Sequence, residues 1–302
     1  MNRFSRILAG VDSSHASRDA FDYALAMSGR YGAELVVVHA VPPDRPFSWH
    51  ADARVALMER LRREAAQTNV VLTERVQTGD PAETILLHAG SLRPDVIVVG
   101  TAQRSGIERL RAGSVAERVA AKAAVPVLVV PRRRRTSAAQ PFRHIAVAVD
   151  FSPSSDRAIE QAQALATGPS DRITLIHVVP GFSPAVRPYL DGYSVMPYQD
   201  ERIREARLRL RDAASVARTT RIPVDARVVP GDTTTEINRV VDTIGADVLI
   251  VGIPKRGAVS RAVFGTTAAR LHRTARVPLM TAPDTERVVN AEGDSPTRRL
   301  VA

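Results

Sequence analysis

A chain of 302 residues with 44% apolar composition is long enough to bury two ordinary cores, and its net charge of +10 raises the question of a nucleic-acid partner. The distribution of that charge argues against one: Lys122 and Lys255 are the only lysines among 42 basic residues, only Arg132 to Arg135 forms a run, and aromatic residues able to stack bases make up just 4%. No stretch approaches the roughly 20 apolar residues of a membrane span, and the absence of cysteine excludes disulfides and thiolate metal sites, so the expectation is a cytoplasmic chain that engages no membrane.

Taken in chain order, Met1 to Ser14 holds only a short apolar run, Ile7 to Val11, which is too short for a signal segment and reads as a first strand. Ser13 or Ser14 caps a predicted helix through Arg30 that ends at Gly32, with Ala20, Ala24 and Met27 on one face. Leu35 to Val41 reads as a second strand. A second helix spans about Ala51 to Thr68, with Val55, Met58, Leu61 and Ala65 expected on its buried face. Val70 to Val76 follows as a strand. Asp80, Pro81 and Glu83 then supply an N-cap, an N1 proline and an N3 acid for a helix to about Ala89. Strands at Val96 to Val99 and Val125 to Val130 flank a last helix after Gly113 and Ser114. The apolar runs are nearly continuous, as in a parallel sheet covered on both faces.

The chain then starts again. Ile7 to Ser14, ILAGVDSS, returns at Ile145 to Ser152 as IAVAVDFS, and Leu35 to His39, LVVVH, returns at Ile173 to His177 as ITLIH, both 138 residues on. Gly79-Asp80 returns at Gly231-Asp232, PDVIVVG ending at Gly100 returns as ADVLIVG ending at Gly252, and Gly113-Ser114 returns at Gly265-Thr266, all 152 residues on. The second copy therefore carries a 14-residue insertion, expected as a loop at about 180–198, where Pro, Gly and Tyr concentrate. Its helices are expected near Ser154 to Ala166, Gln199 to Thr219, Thr233 to Thr243 and Thr266 to Thr274, and its last strand at Val277 to Ala282. The organisation is one domain over 1–131, an Arg-rich linker over 132–142, a second domain over 143–283, and a disordered polar tail over 284–302.

Alternating strands and helices in this order predict two tandem, open, doubly wound parallel sheets of five strands, with any ligand in the crevice outside the carboxyl ends of the strands. Asp12 and Asp150 end the first strands there. Gly100 and Gly252 end the fourth, and each opens a long loop that closes on a small-residue pair at a helix start, where free backbone N–H groups suit an anion. The loops carry Arg104, Arg109 and Arg111 in one copy and Lys255, Arg256 and Arg261 in the other. Any one of these residues is ordinary as a cap or a solvated charge; the combination occurs twice at the same spacing.

These motifs resemble those of the universal stress protein family, across nearly the whole chain except the linker, the insertion and the tail. That family's nucleotide-binding members carry Gly-x-x-Gly, nine residues, and then Gly-Ser or Gly-Thr, with an Asp after the first strand. The resemblance implies a Rossmann-like fold of the adenine nucleotide hydrolase type and binding of ATP, with or without Mg²⁺. It places the ATP-contacting Asp on Asp12 and Asp150 and the adenine-side backbone contact on Ala40 and Val178. It places the phosphate loop on Gly100, Gly113, Ser114 and Val115, and on Gly252, Gly265, Thr266 and Thr267. One position departs in both copies: the second glycine of Gly-x-x-Gly is Gln103 in the first and Lys255 in the second. The resemblance further implies that the last strands of the two copies pair with each other, and it is compatible with a homodimer.

No Walker motif, nucleophile elbow or His-Glu-x-x-His occurs, and His39 and His177 read as hydrogen-bonded structural histidines. The expected function is therefore a non-enzymatic, nucleotide-binding interaction module in a stress response, with at most slow, incidental ATP hydrolysis. The alternatives are a purely structural or dimerising protein and, more remotely, a flavin-binding or adenylating enzyme.

Overall fold

The computed structural model describes residues 4–44, 51–101, 115–131, 142–181, 192–217, 222–254 and 266–284. Most of the Arg-rich linker, the two loops after the fourth strands, the middle of the insertion and nearly all of the tail lie outside these residues.

The first copy runs β1 (Arg6–Gly10), α1 (His15–Tyr31), β2 (Glu34–Val41), α2 (Ala51–Gln67), β3 (Leu72–Thr78), α3 (Pro81–Leu92), β4 (Val96–Thr101), α4 (Val115–Lys122) and β5 (Val127–Pro131). The second repeats it as β6 (His144–Ala148), α5 (Pro153–Leu165), β7 (Arg172–Pro180), α6 (Gly192–Ala217), β8 (Val224–Gly231), α7 (Thr233–Ile244), β9 (Val248–Ile253), α8 (Thr266–Thr274) and β10 (Leu279–Pro283). Each copy is a parallel five-stranded sheet with β1 or β6 beside β4 or β9, which puts the reversal of strand order, and hence the ligand crevice, between those strands. The two sheets join into one of ten strands, in the order β3-β2-β1-β4-β5-β10-β9-β6-β7-β8. At the seam β5 and β10 run antiparallel, with Leu279 opposite Val129 and Thr281 opposite Val127. Two apolar edge strands are thereby removed from solvent.

One face of this sheet carries a single apolar core that crosses the seam, from Phe4, Phe21 and Met27 through Leu128 and Phe142 to Leu165 and Leu210. On the other face the cores are separate, one around Ile85, Ile97 and Val119, the other around Ile237, Leu249 and Leu271. Polar bonds reinforce the crossing: Tyr31 donates its hydroxyl to the Leu165 carbonyl at 2.7 Å, and Arg30 bonds the buried Asp171 carboxylate. That carboxylate also accepts from the backbone N–H groups of Thr167 and Gly168.

Local signals act as read from the sequence at α1, capped by Ser14 and closed by a left-handed Gly32, and at α3, where Asp80 accepts from the Glu83 N–H. Other expectations need correction. Val55 is 53% exposed, because Leu57, Met58, Leu61 and Ala65 form the buried stripe of α2 and Val55 falls about 100° from its centre. The α3 helix continues past Ala89 to Leu92, and β3 starts at Leu72, after a turn with Asn69 in the left-handed region. The 180–198 loop is shorter than expected, since Pro180 ends β7 and α6 already begins at Gly192. Gly192 is the first residue of that helix and Pro197 lies in its second turn. A proline there removes one backbone donor close to the helix end, which weakens the first turns without stopping a helix of 26 residues.

Candidate functional site

The carboxyl ends of β1, β2 and β4 open into a cavity of about 460 Å³ in the first copy. Asp12, Ala40, Gly100 and Val115 all border it, so four elements bring together every predicted site residue of this copy that the structure describes. Arg104, Gly113, Ser114 and the departure at Gln103 lie outside the described residues. The second copy has a smaller cavity, about 260 Å³, bordered by Asp150, Val178, Gly252 and Thr267. Thr266 begins α8. Lys255, Arg256 and Gly265 lie outside the described residues.

The aspartates are held by the helix starts that follow them. Asp12 donates its backbone N–H to Ser17 Oγ at 2.7 Å and accepts the Ser14 N–H on Oδ1 at 2.8 Å, while Ser14 Oγ caps Ser17 N at 3.1 Å. Asp150 repeats the pattern with Ser155 at 2.9 Å and the Ser152 N–H at 3.0 Å. It differs in that the hydroxyls of Ser152 and Ser155 both donate to Oδ1. Burial pushes this carboxyl up, but the donors outweigh it and hold the group below the ordinary carboxylate range. Three hydrogen bonds converge on one oxygen of Asp150, whereas among the described contacts Asp12 Oδ1 accepts one.

Gly100 and Gly252 have a packing role that precedes any ligand. A Cβ on Gly100 would lie 2.1 Å from the Ala16 carbonyl oxygen, and one on Gly252 would lie 2.2 Å from that of Ser154. The missing side chains let the first turns of α1 and α5 press onto the ends of β4 and β9, which carries the aspartates over the crevice. His39 and His177 each bond a strand-end carbonyl through Nδ1, Val11 O at 2.9 Å and Val149 O at 2.8 Å, so Nδ1 carries the proton. Burial holds the His177 imidazole below its ordinary pKa.

Several lining residues had no motif to announce them. Ala53, Arg54 and Leu57 of α2 wall the first cavity on one side, and Pro81 and Ile85 of α3 wall it on the other. Arg118 of α4 ties α3 in place by bonding both oxygens of Asp80, at 2.8 and 2.7 Å, and holds that carboxyl below its usual range. The counterpart in the second copy is looser, with Arg270 at 3.7 Å from Asp232. Ser17 and Ser155 were findable, since each stands five residues after its Asp in both copies.

A sequence profile of the universal stress protein family matches residues 3–131 and 141–283, which together make up most of the chain. The chain belongs to that family. Among its relatives, a universal stress protein of Thermus aquaticus is 36% identical over 135 residues, spanning 42% of this chain and 98% of its own length. One from Methanocaldococcus jannaschii is 29% identical over 147 residues, 44% of this chain and 86% of its own. The crystal structure of a universal stress protein from Archaeoglobus fulgidus matches across both copies, with a TM-score of 0.73, 94% of this chain and all of that one covered, at 18% identity. At that identity the likeness concerns the fold. This universal stress protein shares with it a two-copy length.

Proposed function

We propose that this universal stress protein binds ATP or a related adenine nucleotide in its first copy, and that the bound state alters the surface it offers to a partner in a stress response. The observation that supports this most is the convergence of Asp12, Ala40, Gly100 and Val115 on one cavity. Its volume of about 460 Å³ falls within the roughly 300–1,000 Å³ usual for small-molecule sites. The chemistry also fits: a pinned carboxylate for ribose or amino hydrogens, half-buried backbone at Ala40 near the end of β2 for the base edge, and the start of α4 at Val115 for phosphate. The second cavity, about 260 Å³, falls below that range. On this reading the module works by binding and by the surface it presents, not by catalysis.

A structural role is the second reading, and it fits the second copy best. There three hydrogen bonds from its own serines engage one oxygen of Asp150. The test is to denature the purified protein and assay the released adenine nucleotide, together with calorimetric titration of the apo chain by ATP and Mg²⁺. Saturable binding supports the nucleotide reading. Absence of both release and binding at millimolar ATP leaves the structural one.

A further inference from the structure

Among the described residues that border the larger cavity, Asp12 is the one carboxylate and Arg54 the one guanidinium. Arg54 is half-buried and stands one helical turn before Leu57, so the two share the face of α2 that meets the cavity. Its charge does not serve the helix. As the fourth residue of α2 it puts a cation in the first turn, where the positive end of the helix dipole favours acids. The second copy has no equivalent. The buried stripes 57/61/65 and 206/210/214 lie 149 residues apart, which sets Arg54 in register with Ile203, and no described residue of α6 borders the smaller cavity.

The sheet separates Arg54 from the place proposed for phosphate. Leu57 lies in the core on the α1 side of the sheet, whereas Ile85 lies in the core on the opposite side, with Val115 packed against it. Phosphates drawn to the start of α4 therefore extend toward the far side of the crevice, and the base held at Ala40 is left on the side of α2. Val41, Pro42 and Leu57 border the cavity as well, and an apolar wall of this kind suits an aromatic ring better than a polyphosphate. A guanidinium is planar, weakly hydrated and stacks on aromatic faces, while its methylene stem packs along neighbouring apolar groups.

We infer that Arg54 contacts the base of the bound nucleotide, lying over the ring face with its guanidinium plane, and so sets affinity for the nucleoside and not for the phosphates. This rests on the reading of the first copy as a nucleotide site. Every purine presents such a face, so the contact strengthens binding of purine nucleotides in general and leaves the choice of base to the backbone at Ala40.

The full-length protein and the variants Arg54→Ala, Arg54→Gln and Arg54→Lys are titrated by calorimetry with ATP, ADP and AMP in low and high salt, with melting temperatures to verify folding. Arg54→Ala is expected to bind each nucleotide about three- to thirtyfold more weakly, by one factor along the series and in both salts. Arg54→Gln, which keeps part of the stem, carries the same test if the alanine variant unfolds. Lysine is expected to restore little, because its ammonium keeps the charge and loses the plane. A loss that grows from AMP to ATP, shrinks in high salt and is rescued by lysine overturns the assignment, since it marks a phosphate contact. Unchanged affinities in the folded variants overturn it too and leave the first-copy site standing. No binding of any of the three nucleotides by the wild type overturns the nucleotide reading and this assignment with it.

Discussion

Replacing Gly100 by alanine adds one methyl group at the most crowded point of the crevice. The new Cβ would stand 2.1 Å from Ala16 O, 2.4 Å from Ala16 C and 2.9 Å from Ser17 N, whereas ordinary contact begins at 3.4 Å. All three are backbone atoms of the first turn of α1, so no side-chain rotation relieves the clash and the helix start must retreat by about 1 Å. Overpacking a core costs about 1–3 kcal/mol, and a clash with backbone belongs at the upper end. At roughly 2–4 °C per kcal/mol, a loss of about 3 kcal/mol lowers the melting temperature by about 6–12 °C. The same retreat disturbs the bond from Asp12 N to Ser17 Oγ, whose loss at about 1–1.5 kcal/mol weakens nucleotide binding by about tenfold. Gly252→Ala meets Ser154 in the same way and is expected to lower the melting temperature comparably while leaving first-copy affinity unchanged. Thermal denaturation and calorimetric titration of both variants check this, and a Gly100→Ala protein with wild-type melting and wild-type affinity would refute the reasoning.

Gly90, inside α3 with nothing near its missing Cβ, gives the opposite sign: Gly90→Ala is expected to stabilise by about 0.5–1 kcal/mol in urea denaturation. Arg30→Met leaves the buried Asp171 carboxylate with only its two backbone donors, and is expected to cost about 3 kcal/mol by the same measurement, since breaking a buried pair strands a charge. For acid stability, the folded Asp150 pKa is depressed, so its contribution is present above the unfolded value near 3.8 and is lost as pH falls through the folded value. Ser155→Ala should therefore shrink the stability lost between neutral pH and about pH 2. The imidazoles of His144, His177 and His272 are also depressed, chiefly by burial; their contribution is present above the unfolded value of 6.5 and is lost as pH falls through their folded values. His272→Gln is expected to flatten the fall in melting temperature below about pH 6.5.

The scaffold was legible because each local signal agreed with its neighbours: the Ser14 and Asp80 caps, the Gly32 stop and the continuous apolar runs all specify the same alternating order. The duplication made that reading firmer, since a motif seen twice at one offset is hard to ascribe to chance. Asp12, Ala40, Gly100 and Val115 could be named for the same reason, each lying at a strand end or helix start that the repeat marks. What the sequence left hidden depends on side chains that meet only after folding. Arg54 and Leu57 reach the cavity from a helix with no motif of its own, and Arg118 matters because α3 and α4 pack together. The Phe151 ring and the Arg209 guanidinium are 58 residues apart in sequence and meet only through the placement of α6 over β7. The 180–198 segment misled because Pro and Gly near a helix start leave the same composition as a loop.

The measurement that bears most directly on the central claim compares Asp12→Asn with Asp150→Asn in calorimetric titration with ATP and Mg²⁺, at matched folding by circular dichroism. The account predicts that Asp12→Asn binds at least tenfold more weakly and that Asp150→Asn retains the wild-type affinity and a stoichiometry of one, with a tenfold change corresponding to about 1.4 kcal/mol. Loss of binding in the Asp150 variant, or unchanged binding in the Asp12 variant, would contradict it.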